Sequence, residues 1–261
     1  MSLQLDKLAH KQLTKLAHKQ LTIEATASDG MSRMEGGEVG KLCYFAQPIE
    51  NIRTQHVIAY ELLLREWHED QQRWLVPASF DIDAQTMIVL LSDALAKLTI
   101  RRVSINLTNA QFADVKVMRA LTEYVETNMQ PRQLTVELVD SPDLVTLRRV
   151  GVGYRAAGIL IAIDDVGSDN KFREIRGLLP YVNTIKFALQ NMRKPGAPAP
   201  EDAKESLRFW FERAEEQQML FTFEGIEDGD DIQLATQFGI TRGQGYYFSK
   251  PQEPVMFSCA E

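Results

Sequence analysis

Four short apolar segments of the chain each run into an acidic or amide side chain. They are residues 57–60 before Glu61, 103–105 before Asn106, 134–136 before Glu137, and 159–163 before Asp164 and Asp165. A buried strand requires the apolar residues, whereas its packing gives no reason for the polar residue that follows. Because carboxylates repel one another in a site shielded from water, a cluster of them must hold metal cations or share protons. The pattern predicts a barrel of strands that gathers carboxylates around one point.

The elements that must position these side chains alternate along the chain from Leu42 onward. Strands are predicted over 43–46, 57–65, 102–107, 133–139, 160–165, 184–188, 219–225 and 243–248, and helices over 79–98, 115–128, 141–157, 172–179, 205–217 and 231–238. Strands that alternate with helices over most of a chain predict one α/β domain, a TIM-like (β/α)8 barrel, with a doubly wound open sheet as the alternative. The first two strands are too close for a helical crossover, which predicts one antiparallel strand near the start.

In a barrel of this type the active site lies at the carboxyl ends of the strands. The residues expected at those ends are Glu61, Asn106, Glu137, Asp164, Asp165, Lys186, Glu224 and Gln244. Carboxylate and amide oxygens are hard ligands, which suit Mg²⁺ or Mn²⁺ and do not suit zinc or copper. The sequence therefore predicts a site for hard divalent cations.

The overall charge limits the classes of partner. The chain has 36 acidic residues and 29 lysines and arginines, for a net charge of −7. This balance argues against binding to a nucleic-acid polymer or an anionic membrane, although an anionic substrate is compatible with metal cations that offset the carboxylates. Cys43 and Cys259 form neither a metal-ligand spacing nor a disulfide framework, which predicts a reducing cytoplasm. No apolar run approaches the length of a membrane span, so no membrane insertion is expected.

The first 40 residues differ from the rest of the chain in composition and in sequence pattern. Residues 7–14 (KLAHKQLT) are repeated as residues 15–22 at helical spacing, and residues 26–40 are rich in glycine and serine. The repeat is interpreted as a short amphipathic helix, a partner-binding arm or an extension added for expression. We expect residues 1–40 to be an appendage without catalytic function and residues 41–261 to be the barrel domain.

Eight segments, in order, resemble the motifs of the EAL-domain phosphodiesterases, which hydrolyse cyclic di-GMP. They are 47–49 (QPI), 60–65 (YELLLR), 106–107 (NL), 134–141 (LTVELVDS), 163–167 (IDDVG), 185–186 (IK), 224–227 (EGIE) and 244–251 (QGYYFSKP). Each match alone is weak, whereas the complete set in family order and at barrel-like spacing is specific. The resemblance covers most of the chain.

The resemblance implies metal-dependent hydrolysis of cyclic di-GMP to linear pGpG by a water that two metal ions, Mg²⁺ or Mn²⁺, activate. It implies a first metal bound by Glu61, Asn106, Glu137 and Asp164, and a second bound by Asp164, Asp165 and Glu224. Lys186 is expected to orient or deprotonate the water, and Glu61 and Glu224 to be catalytic as well. Contacts with the substrate are expected from Gln47, Arg65 and Gln244. A homodimer is expected.

The chain also departs from the family pattern. Asp140 stands where the family has a glutamate that braces the loop after Asp165, and Glu227 is expected to support the site in a similar way. The loop itself, residues 166–170 (VGSDN), differs from the family sequence, and Ala188 stands where the family carries an aspartate. These changes motivate alternative functions, namely a weakly active or inactive EAL domain that acts as a cyclic di-GMP receptor or as a protein-interaction module. A barrel phosphodiesterase for a simpler ester is a further alternative.

Overall fold

The computed structural model describes residues 41–254. The predicted extension of residues 1–40, with its repeat, lies outside the described residues, as does Cys259.

The strands of the described residues form one sheet that closes into a barrel. They are β1 Leu42–Asn51, β2 His56–His68, β3 Arg73–Leu75, β4 Val103–Leu107, β5 Leu134–Leu138, β6 Leu160–Ile163, β7 Thr184–Ala188, β8 Leu220–Glu224 and β9 Arg242–Gly243. The spatial order is β1-β9-β8-β7-β6-β5-β4-β2, and pairing of β1 with β2 closes this ring, whereas β3 only extends β2 as a hairpin. Pairing is parallel from β2 through β4 to β9, and β1 is antiparallel to both of its neighbours. The predicted TIM-like barrel with one antiparallel strand near the start is confirmed.

The helices of the described residues connect the strands. They are α1 Ala84–Lys97, α2 Asn109–Ala113, α3 Val115–Asn128, α4 Leu144–Ala156, α5 Phe172–Ile175, α6 Glu201–Glu216 and α7 Gly229–Phe238. Each long helix buries one apolar stripe, as α3 does with Val117, Leu121 and Val125 at four-residue spacing. The main core is therefore the layer between the helices and the barrel wall. Among these helices, none has the length and apolar character needed to cross a bilayer.

Side-chain caps decide where several helices begin. The helix predicted from residue 79 begins at Ala84, because the Asp83 carboxylate accepts a hydrogen bond from the Thr86 amide at 2.8 Å and caps the first turn. The short helix α2 was not predicted, although Thr108 and Gln111 form a reciprocal capping box at its start. Five residues are too few for a recognisable apolar period.

The prediction of a strand over 243–248 is wrong beyond Gly243. The chain instead turns, and the Phe248 and Ser249 amides both donate to the Gly245 carbonyl, at 3.1 and 3.2 Å. Gly245 packs against the Ile226 backbone so closely that a Cβ atom would overlap it. This contact between two loops fixes the turn. The alternation of residues that predicted a strand carries no information about such a contact.

Glu61 is not at a strand end, contrary to the sequence interpretation. It lies in the middle of the thirteen-residue strand β2, which runs on to His68 and pairs there with β3. Side chains two positions apart on a strand point to the same face, so Ala59, Glu61 and Arg65 all lie on the inner side of the barrel wall. The ribbon of β2 and β3 extends the wall above the site.

Candidate active site

The barrel brings the charged residues of the predicted site together around one lysine. The Lys186 Nζ lies 2.7 Å from Glu137 Oε2, 3.2 Å from Glu61 Oε2 and 2.5 Å from Glu224 Oε1. Lys186 comes from β7, and the three glutamates come from β5, β2 and β8, so the contacts cross the barrel interior. The lysine and all three carboxylates are at most 3% exposed. Such a set of buried charges exists only because each charge is paired.

Two amides extend the network around Glu61. Asn106 Nδ2 donates to Glu61 Oε1 at 2.7 Å, and Gln244 Nε2 donates to Glu61 Oε2, also at 2.7 Å. Gln244 Nε2 also lies 3.0 Å from Gln47 Oε1, and Gln47 in turn donates to the Ser249 carbonyl. Both Glu61 oxygens are therefore oriented by amide donors before any ligand binds.

The two aspartates after β6 form a tight backbone turn. Asp165 has a φ of 52°, a left-handed conformation that is uncommon for a residue with a side chain, and its amide donates to Asp164 Oδ1 at 2.9 Å. Asn191 Nδ2 donates to Asp165 Oδ1 at 3.0 Å, and Asn170 Nδ2 donates to the Asp164 carbonyl at 2.5 Å. The turn is thus held by Asn170 from its own loop and by Asn191 from the loop after β7.

The carboxylates form two groups with the spacing of metal ligands. One group is Glu61, Glu137 and Asp164, the other is Asp164, Asp165 and Glu224, and within each group ligand oxygens lie within 4.8 Å of one another. All five residues are buried. The Asn106 Oδ1 and Gln244 Oε1 atoms are also buried, and neither has a hydrogen-bond donor among the described residues. This oxygen-rich set, with amide oxygens still able to accept, fits a hard divalent cation.

The protonation of Lys186 follows from this environment. Burial by itself lowers the pKa of a lysine, but the charges of Asp164, Glu137, Glu224 and Glu61 together raise the pKa of Lys186 well above its ordinary value. Lys186 is therefore an ammonium ion in the cluster of charges as it stands. In this state it donates and orients, and it has no lone pair with which to accept a proton.

Comparisons with known proteins agree with this geometry. The family model described as "EAL domain" matches residues 31–251. The chain is a member of the EAL-domain family.

Relatives of this EAL domain carry names that refer to cyclic di-GMP. The chain is 26% identical over 234 residues to the probable cyclic di-GMP phosphodiesterase PdeB of Escherichia coli (strain K12), with 82% of this chain and 44% of PdeB covered. It is also 26% identical over 207 residues to the cyclic di-GMP phosphodiesterase CdgJ of Vibrio cholerae, with 79% and 43% covered. The chain thus spans less than half the length of these curated relatives.

The EAL fold is also found among solved structures. A standalone versatile EAL protein from Vibrio cholerae O395, in its c-di-GMP-bound form, matches with a TM-score of 0.65 at 22% sequence identity, covering 85% of this chain and 97% of that chain. At this identity the match supports the barrel fold.

Arg65, which was predicted to contact substrate, lies on β2 beyond Glu61. It is buried, its Nη1 donates to the Leu64 carbonyl at 2.9 Å, and its guanidinium lies 5.6 Å from the centre of the Phe45 ring. Gln47 is nearer to the carboxylates through its bond with Gln244. Whether the two contact substrate stays a prediction.

The two residues predicted to support the site lie outside the carboxylate groups. Asp140 is half-buried in the loop that follows β5. Glu227 Oε2 lies 3.5 Å from Arg193 Nη2 and accepts a hydrogen bond from the Gly196 amide at 3.1 Å. Glu227 therefore joins the loop after β8 to the loop after β7.

The loop at 166–170 is ordered by its own side chains. Val166 and Asn170 pair as an isolated bridge, and Asn170 accepts a hydrogen bond from the Ser141 hydroxyl at 2.6 Å while donating to the Asp164 carbonyl. Sequence reasoning treated this loop only as a departure from the family and missed the roles of Asn170 and Ser141. No spacing signal could have paired residues so far apart along the chain.

A buried ion pair was also missed. Both oxygens of Asp231 contact the Arg193 guanidinium at 2.7 Å, and Arg193 Nη2 also donates to the Gly225 carbonyl at 2.8 Å. Gly225 follows Glu224 and has a φ of 75°. The ion pair thus fixes the backbone of Gly225, the residue next to Glu224. Asp231 resembles an ordinary first-turn acid of α7 in the sequence, so its pairing was not evident.

Proposed function

We propose that this EAL domain is a metal-dependent phosphodiesterase that hydrolyses cyclic di-GMP to linear pGpG. The observation that carries the proposal is the pair of buried carboxylate groups that share Asp164 and surround Lys186. The names of the relatives at 26% identity supply the substrate class.

The charge of the site supports two divalent cations. Five buried carboxylates contribute −5 and the Lys186 ammonium contributes +1, which leaves −4, and two divalent cations contribute +4. Mg²⁺ and Mn²⁺ suit the oxygen donors. We propose that Glu61, Asn106, Glu137 and Asp164 hold one ion, and that Asp164, Asp165 and Glu224 hold the other.

The residues of the site have distinct roles in this proposal. Bound divalent cations would supply Lewis-acid activation of a water and charge stabilisation of the phosphoryl oxygens. Lys186 holds the carboxylates together by donating to three of them, and its positive charge would stabilise negative charge on a nearby water or phosphate oxygen. Asn106 and Gln244 fix both oxygens of Glu61, so that the site does not reorganise during the reaction. Arg65 and Gln47 are proposed to bind the phosphates and bases of the substrate from the β1–β2 side.

The test is turnover of cyclic di-GMP with Mg²⁺ or Mn²⁺, with pGpG followed by chromatography. Wild-type protein should form pGpG only with metal, and Glu61→Ala should lower the rate at least about a hundredfold, beyond the effect typical of residues that merely support metal ligands. Glu66→Ala, on the same strand and outside both carboxylate groups, is the matched control and should keep its activity. Equal product from wild type and Glu61→Ala would overturn the proposal.

A receptor for cyclic di-GMP is the second candidate. Ala188 pairs with Glu224 in the β7–β8 ladder, so the position where the family has an aspartate carries no carboxylate beside a proposed metal ligand. Binding of cyclic di-GMP by calorimetry without formation of pGpG would favour the receptor. Absence of both binding and turnover would favour the protein-interaction module or a simpler ester.

The predicted homodimer and the cytoplasmic location stay predictions of the sequence. Light scattering on the purified chain, with and without cyclic di-GMP, measures the dimer directly.

A further inference from the structure

The barrel interior has a second polar layer beneath the carboxylates. Two positions before the site residues on β4, β5, β7 and β8, and before Gln244 after β9, stand Ser104, Thr135, Thr184, Thr222 and Arg242. Residues two apart share a face of a strand, so these side chains also point inward. Barrel interiors are usually filled by bulky branched residues. Here four small hydroxyl side chains take their place.

The small side chains leave a cavity at the amino end of the barrel. It has a volume of about 170 Å³, and all five residues of this layer line it. A cavity of about 150 Å³ is large enough for benzene, so the space accommodates one tetrahedral oxyanion with water but no nucleoside.

Three arginines lie around this cavity. Arg102 directly precedes β4, Arg132 lies in the turn before β5, and Arg242 begins β9, and all three contribute to the lining. Within residues 41–254 none of them has a carboxylate within salt-bridge distance; Arg242 Nε donates only a long hydrogen bond, 3.4 Å, to Thr222 Oγ1. The one carboxylate in the lining, Glu137, is already paired with Lys186. Arg102 and Arg132 are exposed and Arg242 is half-buried, where burial and the charge of Arg102 lower its pKa and Glu137 only partly offsets them. Three guanidinium groups around one cavity favour an anion within it.

A buried hydroxyl gives a second, independent indication of a ligand. Ser104 Oγ is buried, with the residue 4% exposed, and has no hydrogen-bond partner in the described part of the chain. An unpartnered buried polar atom is costly, and Ser104 borders the cavity. An oxygen of a bound anion would accept its proton.

We propose that the cavity beneath the carboxylate cluster is a phosphate site, in which a tetrahedral oxyanion contacts Arg102, Arg132 and Arg242 at the rim and the hydroxyls of Ser104 and Thr222 inside. Guanidinium forks match phosphate oxygens with paired charge-assisted hydrogen bonds, and hydroxyls add donors at fixed positions. The ligand is either free inorganic phosphate or the terminal phosphate of a monoester whose remainder lies outside the rim. The cavity adjoins the proposed catalytic site, since Glu137 and Lys186 also line it, but its mouth is at the amino ends of the strands, and the proposal does not depend on the proposed function.

The first experiment titrates inorganic phosphate into the full chain in Tris-chloride buffer with a trace of EDTA. EDTA removes divalent cations, so the carboxylate cluster repels phosphate and cannot give a false signal. We expect saturable binding with a dissociation constant in the ~millimolar range or below, displaced by sulfate and not by chloride. The absence of saturable binding up to about 10 mM phosphate would overturn the proposal.

Variants then locate the site. Arg102→Gln and Arg242→Gln should each weaken phosphate binding about tenfold or more, because each removes charge-assisted donors. Arg101→Gln is the matched control, since Arg101 neighbours Arg102 but does not line the cavity. Binding that is unchanged in both Arg102→Gln and Arg242→Gln would place phosphate elsewhere and overturn the proposal.

A measurement on wild-type protein keeps the test independent of the folding of any variant. Threonine methyl resonances of Thr135, Thr184 and Thr222 should shift on addition of phosphate, whereas that of Thr127, exposed on α3, should not. A nucleoside 5′-monophosphate that shifts the same resonances would identify a monoester as a ligand, and shifts with inorganic phosphate alone would identify the free anion. Shifts confined to Thr127 and other surface threonines would contradict the site.

Discussion

At the scale of single residues, the site depends on how five acidic side chains are held together in a buried place. Lys186 contacts three of them directly, and Asn106 and Gln244 donate to Glu61 from two sides. Asp164 belongs to both carboxylate groups, and Asn170 holds it by donating to its backbone carbonyl. These neutral and cationic donors hold the acids in position, which would lower the reorganisation that the proposed cation binding requires.

Asn191 offers a specific test of this arrangement. Asn191→Ala removes the 3.0 Å bond to Asp165 Oδ1 and leaves a left-handed aspartate less constrained. We expect metal affinity and turnover of cyclic di-GMP to fall about 10- to 100-fold, the usual cost of losing a residue that orients a ligand. Isothermal titration with Mn²⁺ measures the affinity, and Asn128→Ala, at the exposed end of α3, is the control. Unchanged Mn²⁺ affinity in Asn191→Ala would show that Asp165 needs no support.

Cys43 gives a prediction that concerns pH. Burial, followed by the charge of Glu253, raises the pKa of the Cys43 thiol from 9.0 to about 12. Because the thiolate is the reactive form, alkylation by iodoacetamide at pH 8 should be about a thousandfold slower than for an ordinary cysteine. In a Cys259→Ser background the rate should keep rising tenfold per pH unit to about pH 11. A plateau below pH 10 would contradict this pKa.

At the scale of elements, helix starts in this chain are fixed by side-chain oxygens. Asp83, Asp143 and Asp228 cap α1, α4 and α7 by accepting backbone hydrogen bonds, and Gly239, at a φ of 79°, ends α7. The β2–β3 ribbon is fixed in a different way, by the edge-to-face contact of Trp67 with Trp74 at 5.5 Å. Trp67 therefore packs within this ribbon.

The capping box of α2 can be tested by a single change. Thr108→Ala removes the acceptor for the Gln111 amide and should lower the free energy of unfolding by about 1 kcal/mol. For a barrel of this size the melting temperature should fall by about 2–4 °C. Thr127→Ala, exposed on α3, should leave the melting temperature nearly unchanged. Equal melting temperatures for Thr108→Ala and wild type would mean that the cap contributes nothing.

At the scale of the whole molecule, closure of the barrel concentrates negative charge at one end of the interior and positive charge at the other. The carboxylate cluster lies toward the carboxyl ends of the strands, and Arg102, Arg132 and Arg242 lie around their amino ends. Neither concentration is visible in the net charge of −7. The repulsion within the carboxylate cluster acts on the entire fold, because its members come from strands all around the ring.

Divalent cations should therefore stabilise the whole barrel. A ligand that binds only the folded state at a hundred times its dissociation constant adds about 2.7 kcal/mol, which corresponds to a rise in melting temperature of about 5–10 °C. Mn²⁺ and Ca²⁺ should both raise the melting temperature of wild type, and EDTA should reverse the effect. The rise should disappear in Asp164→Asn, since Asp164 belongs to both carboxylate groups, and persist in the surface control Asp202→Asn. A rise of the same size in Asp164→Asn would place the stabilising cations elsewhere.

The sequence by itself determined the barrel and the identities of the residues around its axis. Periodicity is local, so the strand Thr184–Ala188 and the helix Val115–Asn128 were predicted with their observed bounds. Polar residues recur in the sequence near the ends of its apolar runs. Because parallel strands bring their carboxyl ends to one edge, this recurrence identified the carboxylates that meet in the site. Only the tertiary structure decided which side chains touch. The Arg193–Asp231 pair, the bond from Asn191 to Asp165 and the arginine-lined cavity join residues distant along the chain, and such contacts depend on barrel closure and loop packing, which leave no periodic trace in the sequence.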